Sequence, residues 1–574
     1  MVALESQSRT VTARARVRVD GWTAFAVAMA LLVLAPIAAV VYPLITADPA
    51  LWRHLVDTVL ARYLTNTLIL MLGVGLGTLV LGVAAAWLVT MCRFPGARAF
   101  EWALLLPLAM PAYVVAYAYT GLLDFAGPVQ MALRAAFGLQ AGDYGFPSIR
   151  NTGGAIAVLS LVLYPYVYLM ARASFLDQSV CVLEVSRTLG RNAWSSFFHV
   201  ALPLARPAIV GGLALALMET LNEFGAVQFF GVDTFSTGIF RAWFGFGDYR
   251  AAAQLAAAMM LVVAVLLMAE RGSRGKGRIE HTSRRYSQLR PYALAPLAAT
   301  AATAFCGLLV GLGFLAPAAS LLGGAFDHLD ALSDAQFYND AWHSIALASL
   351  SAGIAVTIAL GIAYAERLRR TKAVRGAARI AGLGYAIPGA VLAVGILLPL
   401  TALDHALDAF SRGAFGLSVG LLLSGSAAAL LVAYTIRFLA VALNSVDAGL
   451  ARITPSMESA ARTLGAAPRR ALLQVHAPMM AGSLFTAAIL VFVDVMKELP
   501  ATLIMRPFDF DTLAVRAYQY ASDERLPQAA LPALAIVVFA LAPVLLLSRA
   551  IARSRPGAGT ALTAGIAPPL ETAP

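Results

Sequence analysis

The sequence predicts an all-α, polytopic membrane protein of about 12 transmembrane helices, built as two parallel six-span repeats. Three observations carry this. The 574 residues are 60% hydrophobic and only 13% charged, roughly half the charged fraction of a soluble chain. Apolar runs of about 20 residues recur throughout, each long enough to cross a ~30 Å hydrocarbon core as helix. Finally, the polar segment CVLEVSRTLGRNAWSSFFHVALPLARPAI, from Cys181, returns as MESAARTLGAAPRRALLQVHAPMMAGSL, from Met457. Gly190 pairs with Gly465 and Pro203 with Pro478 at one separation, 275 residues (465 − 190 and 478 − 203).

The first half offers spans at about 21–44, 65–92, 101–123, 153–174, 204–226 and 251–269. The second offers about 292–322, 343–365, 377–402, 415–441, 478–502 and 526–548. Six spans return the chain to the side it started from, so the duplication is parallel rather than inverted. The expected domains are a cytoplasmic N-terminal segment 1–20, a first six-span half 21–269, a cytoplasmic linker 270–291, a second six-span half 292–548 and a cytoplasmic tail 549–574. The tail is rich in Ala, Pro, Gly and Thr, a composition that favours disorder. Further matches support the long-period repeat: Glu223 with Glu498, Thr237 with Thr512 and Arg241 with Arg516 at the same separation, and Pro111 with Pro388 at 277 (388 − 111).

The net charge of +11 raises nucleic-acid binding as a possibility, but its placement excludes it. Positive residues gather in short loops (Arg9 to Arg18, Arg93 to Arg98, Arg271 to Arg290, Arg367 to Arg379, Arg549 to Arg555) that alternate with acidic ones such as Asp327, Asp330, Asp334 and Asp340. This is the positive-inside pattern of a bacterial inner-membrane protein with both termini in the cytoplasm. Cys92, Cys181 and Cys306 lack metal or redox spacing, and no disulfide is expected. Residues 21–44 follow a basic stretch but are longer than a signal peptide's apolar core, and are retained as a span.

Each recurring polar segment falls between the fourth and fifth spans of its half, at about 177–203 and 452–478. Thr454-Pro455 reads as an N-cap followed by Pro at the first helical position. Gly190 and Gly465 suit a left-handed helix C-cap. A short charged helix repeated in two apolar halves implies an aqueous partner; an interfacial helix lying on lipid is the plainer alternative.

With Glu184, Gly190, Val200, Leu202 and Pro203, the first copy resembles the EAA loop of ABC-importer membrane subunits. The second resembles it through Ala460, Ala461, Gly465, Val475 and Pro478. The stretches METLNEFGAVQFFGVDTFSTGIFRAW and DVMKELPATLIMRPFDFDTLAVRAYQYA are similar to the fused permeases of ferric-iron ABC transporters. The resemblance implies a type I importer fold and two copies of an ATPase docking at Glu184, Arg187, Gly190 and Pro203, and at Ser459, Arg462, Gly465 and Pro478. It also implies a periplasmic iron-binding protein, and import of ferric iron, or alternatively of thiamine or another small solute. ATP and Mg would bind the partner, because this chain has no phosphate-binding loop: Gly272 to Lys276 lacks the spacing, and Gly73-Val-Gly-Leu-Gly77 lies inside an apolar span as a packing stripe. A secondary transporter also has two six-span halves, but has no use for two EAA-like loops. The chain is therefore read as a transport subunit rather than an enzyme, with no cofactor of its own.

Charged residues in spans are costly and mark candidate sites. Glu219, Asn222 and Glu223 share a helix face, and the repeat puts Asp494, Lys497 and Glu498 at the same positions. Counting ~1.5 Å per residue from Pro203 places the cluster near the outer surface, where carboxylates suit a hard, oxygen-seeking cation. The same residues also fit solvated helix ends or a contact with the binding protein. Tyr164, Tyr166 and Tyr168 fit interface anchors or pathway oxygens, and Pro107, Pro111 and Pro388 fit kinks.

Overall fold

Apolar runs become helix here because a backbone polar group in hydrocarbon has no water partner and must bond within its own segment. The computed structural model describes residues 20–46, 49–140, 143–177, 193–273, 292–451 and 453–553. Glu184, Arg187, Gly190 and Cys181 lie outside the described residues, as do nearly all of the N-terminal segment, the linker and the tail.

The principal helices of the first half are α1 (Gly21–Thr46), α2 (Ala61–Met91), α3 (Ala97–Ala103), α4 (Ala112–Leu123), α5 (Thr152–Asp177), α6 (Leu202–Asn222), α7 (Phe235–Phe240) and α8 (Tyr249–Ser273). Those of the second are α9 (Pro296–Asp327), α10 (Ala335–Leu368), α11 (Lys372–Ala381), α12 (Gly389–Phe415), α13 (Ala427–Leu450), α14 (Pro455–Thr463), α15 (Ala481–Met496), α16 (Leu513–Ser522) and α17 (Leu526–Arg553). Among the described residues nine helices are long and apolar enough to cross a membrane, and two bent pairs bring the number to eleven. The apolar part of α17, Leu526–Leu541, is shorter. The all-α polytopic class is borne out. The only strands among the described residues are a two-residue parallel bridge, β1 (Cys92–Arg93) with β2 (Tyr292–Ala293), that ties the halves together.

The repeat is visible in the backbone. A π-helical turn at Phe197–Ala201 recurs at Leu472–His476, 275 residues on (472 − 197), just before Pro203 and Pro478. Short helices Gly225–Phe229 and Pro500–Met505 follow the breaks at Glu223 and Glu498 in the same register. Thr237 and Thr512 are not structural equivalents, however. The N-cap role of Thr512 falls in the first half to Thr234, with Thr237 completing a capping box from the third helical position. The first half has three more residues between its cap and its Arg.

Four spans differ from the sequence expectation. The third, 101–123, is broken: a 3-10 turn at Leu106–Ala109 and the extended Pro111 turn the chain by 93°. Its counterpart at 377–402 breaks the same way at Gly384–Ala386 and Pro388, so that α11 stands apart and the span proper runs Gly389–Phe415. The next span shifts to Ala427–Leu450 accordingly. Each proline lacks an N–H and starts a new helix, which is more than a kink. The eleventh span bends by 79° between Met479 and Ala481.

Packing crosses the halves. Helix α1 lies against α10, α11 and α12, while α9 lies against α4 and α17, so each half's first helix also braces the other half. The tightest pairing within the first half is α2 on α5. Gly73, Gly77 and Gly82 allow it: a side chain there would collide with Ile156, Ser160 and the Tyr164 carbonyl. The glycine run is a packing stripe, as expected.

Candidate translocation cavity and coupling surface

Where α6 and α15 end, the two halves enclose a cavity of about 700 Å³, counting the part that opens outward. Glu219, Asn222 and Glu223 line it from one half, and Asp494, Lys497 and Glu498 from the other. The five carboxylate and lysine positions singled out in the sequence are thus brought together. Glu498 is only 4% exposed, and the other four are half-buried. The helices stop at this point, yet the chain continues into further short helices that pack over the break.

Each carboxylate has a different occupation. Glu498 Oε1 accepts from the Ala501 N–H at 3.1 Å, and Oε2 accepts from the Thr502 N–H at 3.1 Å and its hydroxyl at 2.8 Å. It thereby caps the helix Pro500–Met505, where anionic charge is favourable. Arg437 Nη1 stands 3.4 Å from the same carboxylate. Glu223 Oε1 accepts one bond, from the Ala226 N–H at 2.8 Å. Lys497 pairs with Asp494 at 2.9 Å. Glu219 accepts from the Tyr385 hydroxyl of the other half at 2.5 Å.

Asn222 joins the halves most directly. Its Oδ1 accepts from the Gly389 N–H at 2.7 Å and from Arg437 Nη1 at 2.8 Å. Tyr385 and Gly389 flank the break at Pro388, so the end of α6 is bonded to the broken span of the opposite half. The repeat does not reproduce this. Where Asn222 accepts, Lys497 can only donate, and Leu108 stands at the position of Tyr385 (385 − 277), with no hydroxyl.

Among the three tyrosines, Tyr166 lines the cavity. Tyr164 and Tyr168 are fully buried and donate to the carbonyls of Leu104 and Glu101, fixing the approach to the 93° bend; they are not interface anchors. Sequence reasoning passed over Arg437, Tyr385 and Tyr113. An Arg in the apolar run LVAYTIRFLAVAL was open to the same rule that found the carboxylates. The buried Tyr113 hydroxyl and Arg437 Nε have no partner among the described residues. No group of three or more His, Cys, Asp or Glu side chains is placed to hold a metal ion among the described residues.

The second coupling segment is described in full apart from Arg452. Helix α14 starts from Thr454 with Pro455 in its first turn, and Gly465 follows its end at φ +81°, the left-handed geometry expected. Glu458 turns inward: Arg367 at the end of α10 reaches its carboxylate at 2.9 Å and the carbonyls of Leu450 and Ile453 at 2.8 Å each. Ser459, Arg462, Gly465, Arg469 and Arg470 lie on the exposed side, and Leu464 is 88% exposed. Pro478 sits where the segment passes into α15, and Pro203 in the first turn of α6.

Two repeated helical halves around a polar cavity, with a charged helix held at one end, fit a membrane translocation subunit. Residues 78–269 match the family of binding-protein-dependent transport system inner membrane components. It is 26% identical over 498 residues to a Fe(3+)-transport system permease protein of Haemophilus influenzae, a match covering 85% of this chain and 90% of the relative. It is 32% identical over 146 residues to the molybdenum transport system permease protein of Escherichia coli, covering 25% of this chain and 60% of that one. A sulfate transport system permease protein of Escherichia coli is 29% identical over 150 residues, 26% of this chain and 51% of the relative.

Proposed function

We propose that this chain is the inner-membrane permease of an ATP-driven importer for ferric iron, and that the cavity between α6 and α15 is part of the cargo path. The observation that carries it is the pairing of four carboxylates from symmetry-related helices around one enclosed space. Against them stand only Lys497 and Arg437, so the cavity is net negative and favours a cation over an oxyanion such as molybdate or sulfate. The Fe(3+) permease relative supports this cargo, since its match runs through both halves.

Two copies of a partner ATPase dock at the coupling segments, one at Glu184, Arg187, Gly190 and Pro203, and the other at Ser459, Arg462, Gly465 and Pro478. ATP and Mg bind in that partner, and a periplasmic binding protein hands the iron over on the opposite face. Both termini lie in the cytoplasm. Movement of α14 reaches α10 through Arg367; the cross-half bonds of Glu219 and Asn222 are the ones that must break for cargo to pass. Glu219 and Glu223 are the carboxylates offered to cargo, because Glu498 is committed to its cap and to Arg437 and Asp494 to Lys497. Uptake of radioactive iron in cells with and without this chain tests the reading, with labelled thiamine and molybdate as controls. Iron uptake that depends on the chain is expected; dependence of thiamine or molybdate uptake instead would overturn the cargo assignment.

A further inference from the structure

Helix α11 is amphipathic with two sharply different faces. Val374, Ala377 and Ala381 are buried; Val374 and Ala377 form a small core of their own with Ala26, Ala30 and Ala365, while Ala381 joins the main one. On the opposite side Lys372, Arg375 and Arg379 follow at spacings of three and four residues and are all exposed. Arg369 and Arg370, just before the helix, add two further exposed cations. Among the described residues the carboxylate bonded to this group is Asp20, 2.7 Å from Arg369. In the sequence, Asp20 is preceded by Arg9, Arg14, Arg16 and Arg18.

The position of this face identifies what it meets. Its support, α1, is the least buried of the long apolar helices among the described residues: 28% of its apolar stretch is buried, against 33% or more for each of the others. A helix packed on α1 therefore stands beside lipid. It also lies at the end of α10 that holds the coupling segment, the basic side of the protein. The matching helix of the first half, α3, has no such face: it carries Arg98 but also Glu101, which pairs with Arg172 at 2.9 Å.

We propose that the cationic face of α11, continued by Arg369 and Arg370, binds the headgroups of anionic phospholipids in the leaflet beside α1. A row of cations at the membrane surface attracts anionic lipid additively, and the attraction falls off within a Debye length. The apolar face of α11 is consumed by α1, so binding is electrostatic rather than by insertion, unlike that of a free interfacial helix. The site anchors the swapped first helix to the bilayer next to the coupling segment.

The test uses the full-length chain in nanodiscs of mixed phosphatidylglycerol and phosphatidylcholine, released and weighed by native mass spectrometry to count retained lipids. Wild type should retain phosphatidylglycerol preferentially. The triple substitution Lys372→Gln, Arg375→Gln, Arg379→Gln should lower that preference at least about threefold. The charge-keeping set Lys372→Arg, Arg375→Lys, Arg379→Lys and the first-half substitution Arg98→Gln should leave it unchanged. An unchanged preference in the triple Gln variant overturns the proposal. So does a loss shared by the charge-keeping set, which would mark a packing effect. Unchanged lipid retention together with loss of the co-purifying ATPase would reassign the face to a protein partner.

Discussion

Glu498→Gln offers the sharpest test of the cavity's construction. The Arg437 and Glu498 side chains are 4% and 2% exposed, and their charged atoms stand 3.4 Å apart. At an effective dielectric of ~20, the Coulomb energy at this distance is about 5 kcal/mol. Removing one partner of such a buried pair costs roughly 3–5 kcal/mol, because the other charge is left in a poorly solvating place. Here the lower end applies to Glu498→Gln, since Asn222 Oδ1 still accepts from Arg437 at 2.8 Å. Arg437→Met should cost less, about 2 kcal/mol, because Glu498 keeps three donors from Ala501 and Thr502. The double variant should then be less destabilised than the two costs added, by at least ~1 kcal/mol of coupling. Reversible unfolding in mixed micelles measures all four proteins. Additivity within about 0.5 kcal/mol would show that the pair contributes nothing specific and that the cavity's charges are held by other means. Glu223→Gln is the control: it retains a carbonyl oxygen for the Ala226 N–H and should cost less than about 1 kcal/mol.

Three further outcomes follow from the cavity and its supports. Arg367→Met removes three bonds from the α14 junction, and should reduce ATP-driven uptake several-fold while leaving protein levels near normal, read by uptake against immunoblot. Glu184→Ala should weaken ATPase co-purification under rising salt more than Ser459→Ala, since a charged acceptor contributes roughly 1.5–3 kcal/mol and a neutral hydroxyl about 1; equal losses would refute this. The Thr23 hydroxyl and then Arg369 hold the Asp20 carboxyl down at about 2. A depressed carboxyl contributes stability above its ordinary value near 4 and loses it as pH falls toward 2. Asp20→Asn should therefore flatten the acid-side fall of the thermal midpoint, and an unchanged profile would refute the contact's role.

The sequence by itself determined the class, the parallel repeat and the rough count of spans, because hydrocarbon permits only helix and a 275-residue echo (465 − 190) survives at Gly, Pro and Glu positions. It also singled out Glu219, Glu223, Asp494, Lys497 and Glu498, since a charge in an apolar run is costly enough to mark a site. It could not say which of these are occupied. Glu498 and Glu223 each accept the N–H three residues on, as the repeat implies, but only Glu498 adds the Thr502 hydroxyl and an ion pair with Arg437. The difference arises from Thr502, whose hydroxyl the first half lacks at Val227, and from Arg437, which lies far from Glu498 in the chain and which only packing brings to it. Periodicity reads Pro as a bend within a span; only packing shows that each proline ends one helix and aims the next at the opposite half. Likewise, the exchange of first helices leaves no trace in hydropathy, because a lipid-facing helix looks the same whichever half it braces. The inward turn of Glu458 was legible only as a 100° offset from Ser459; that the offset points it at Arg367 was decided by where α10 ends.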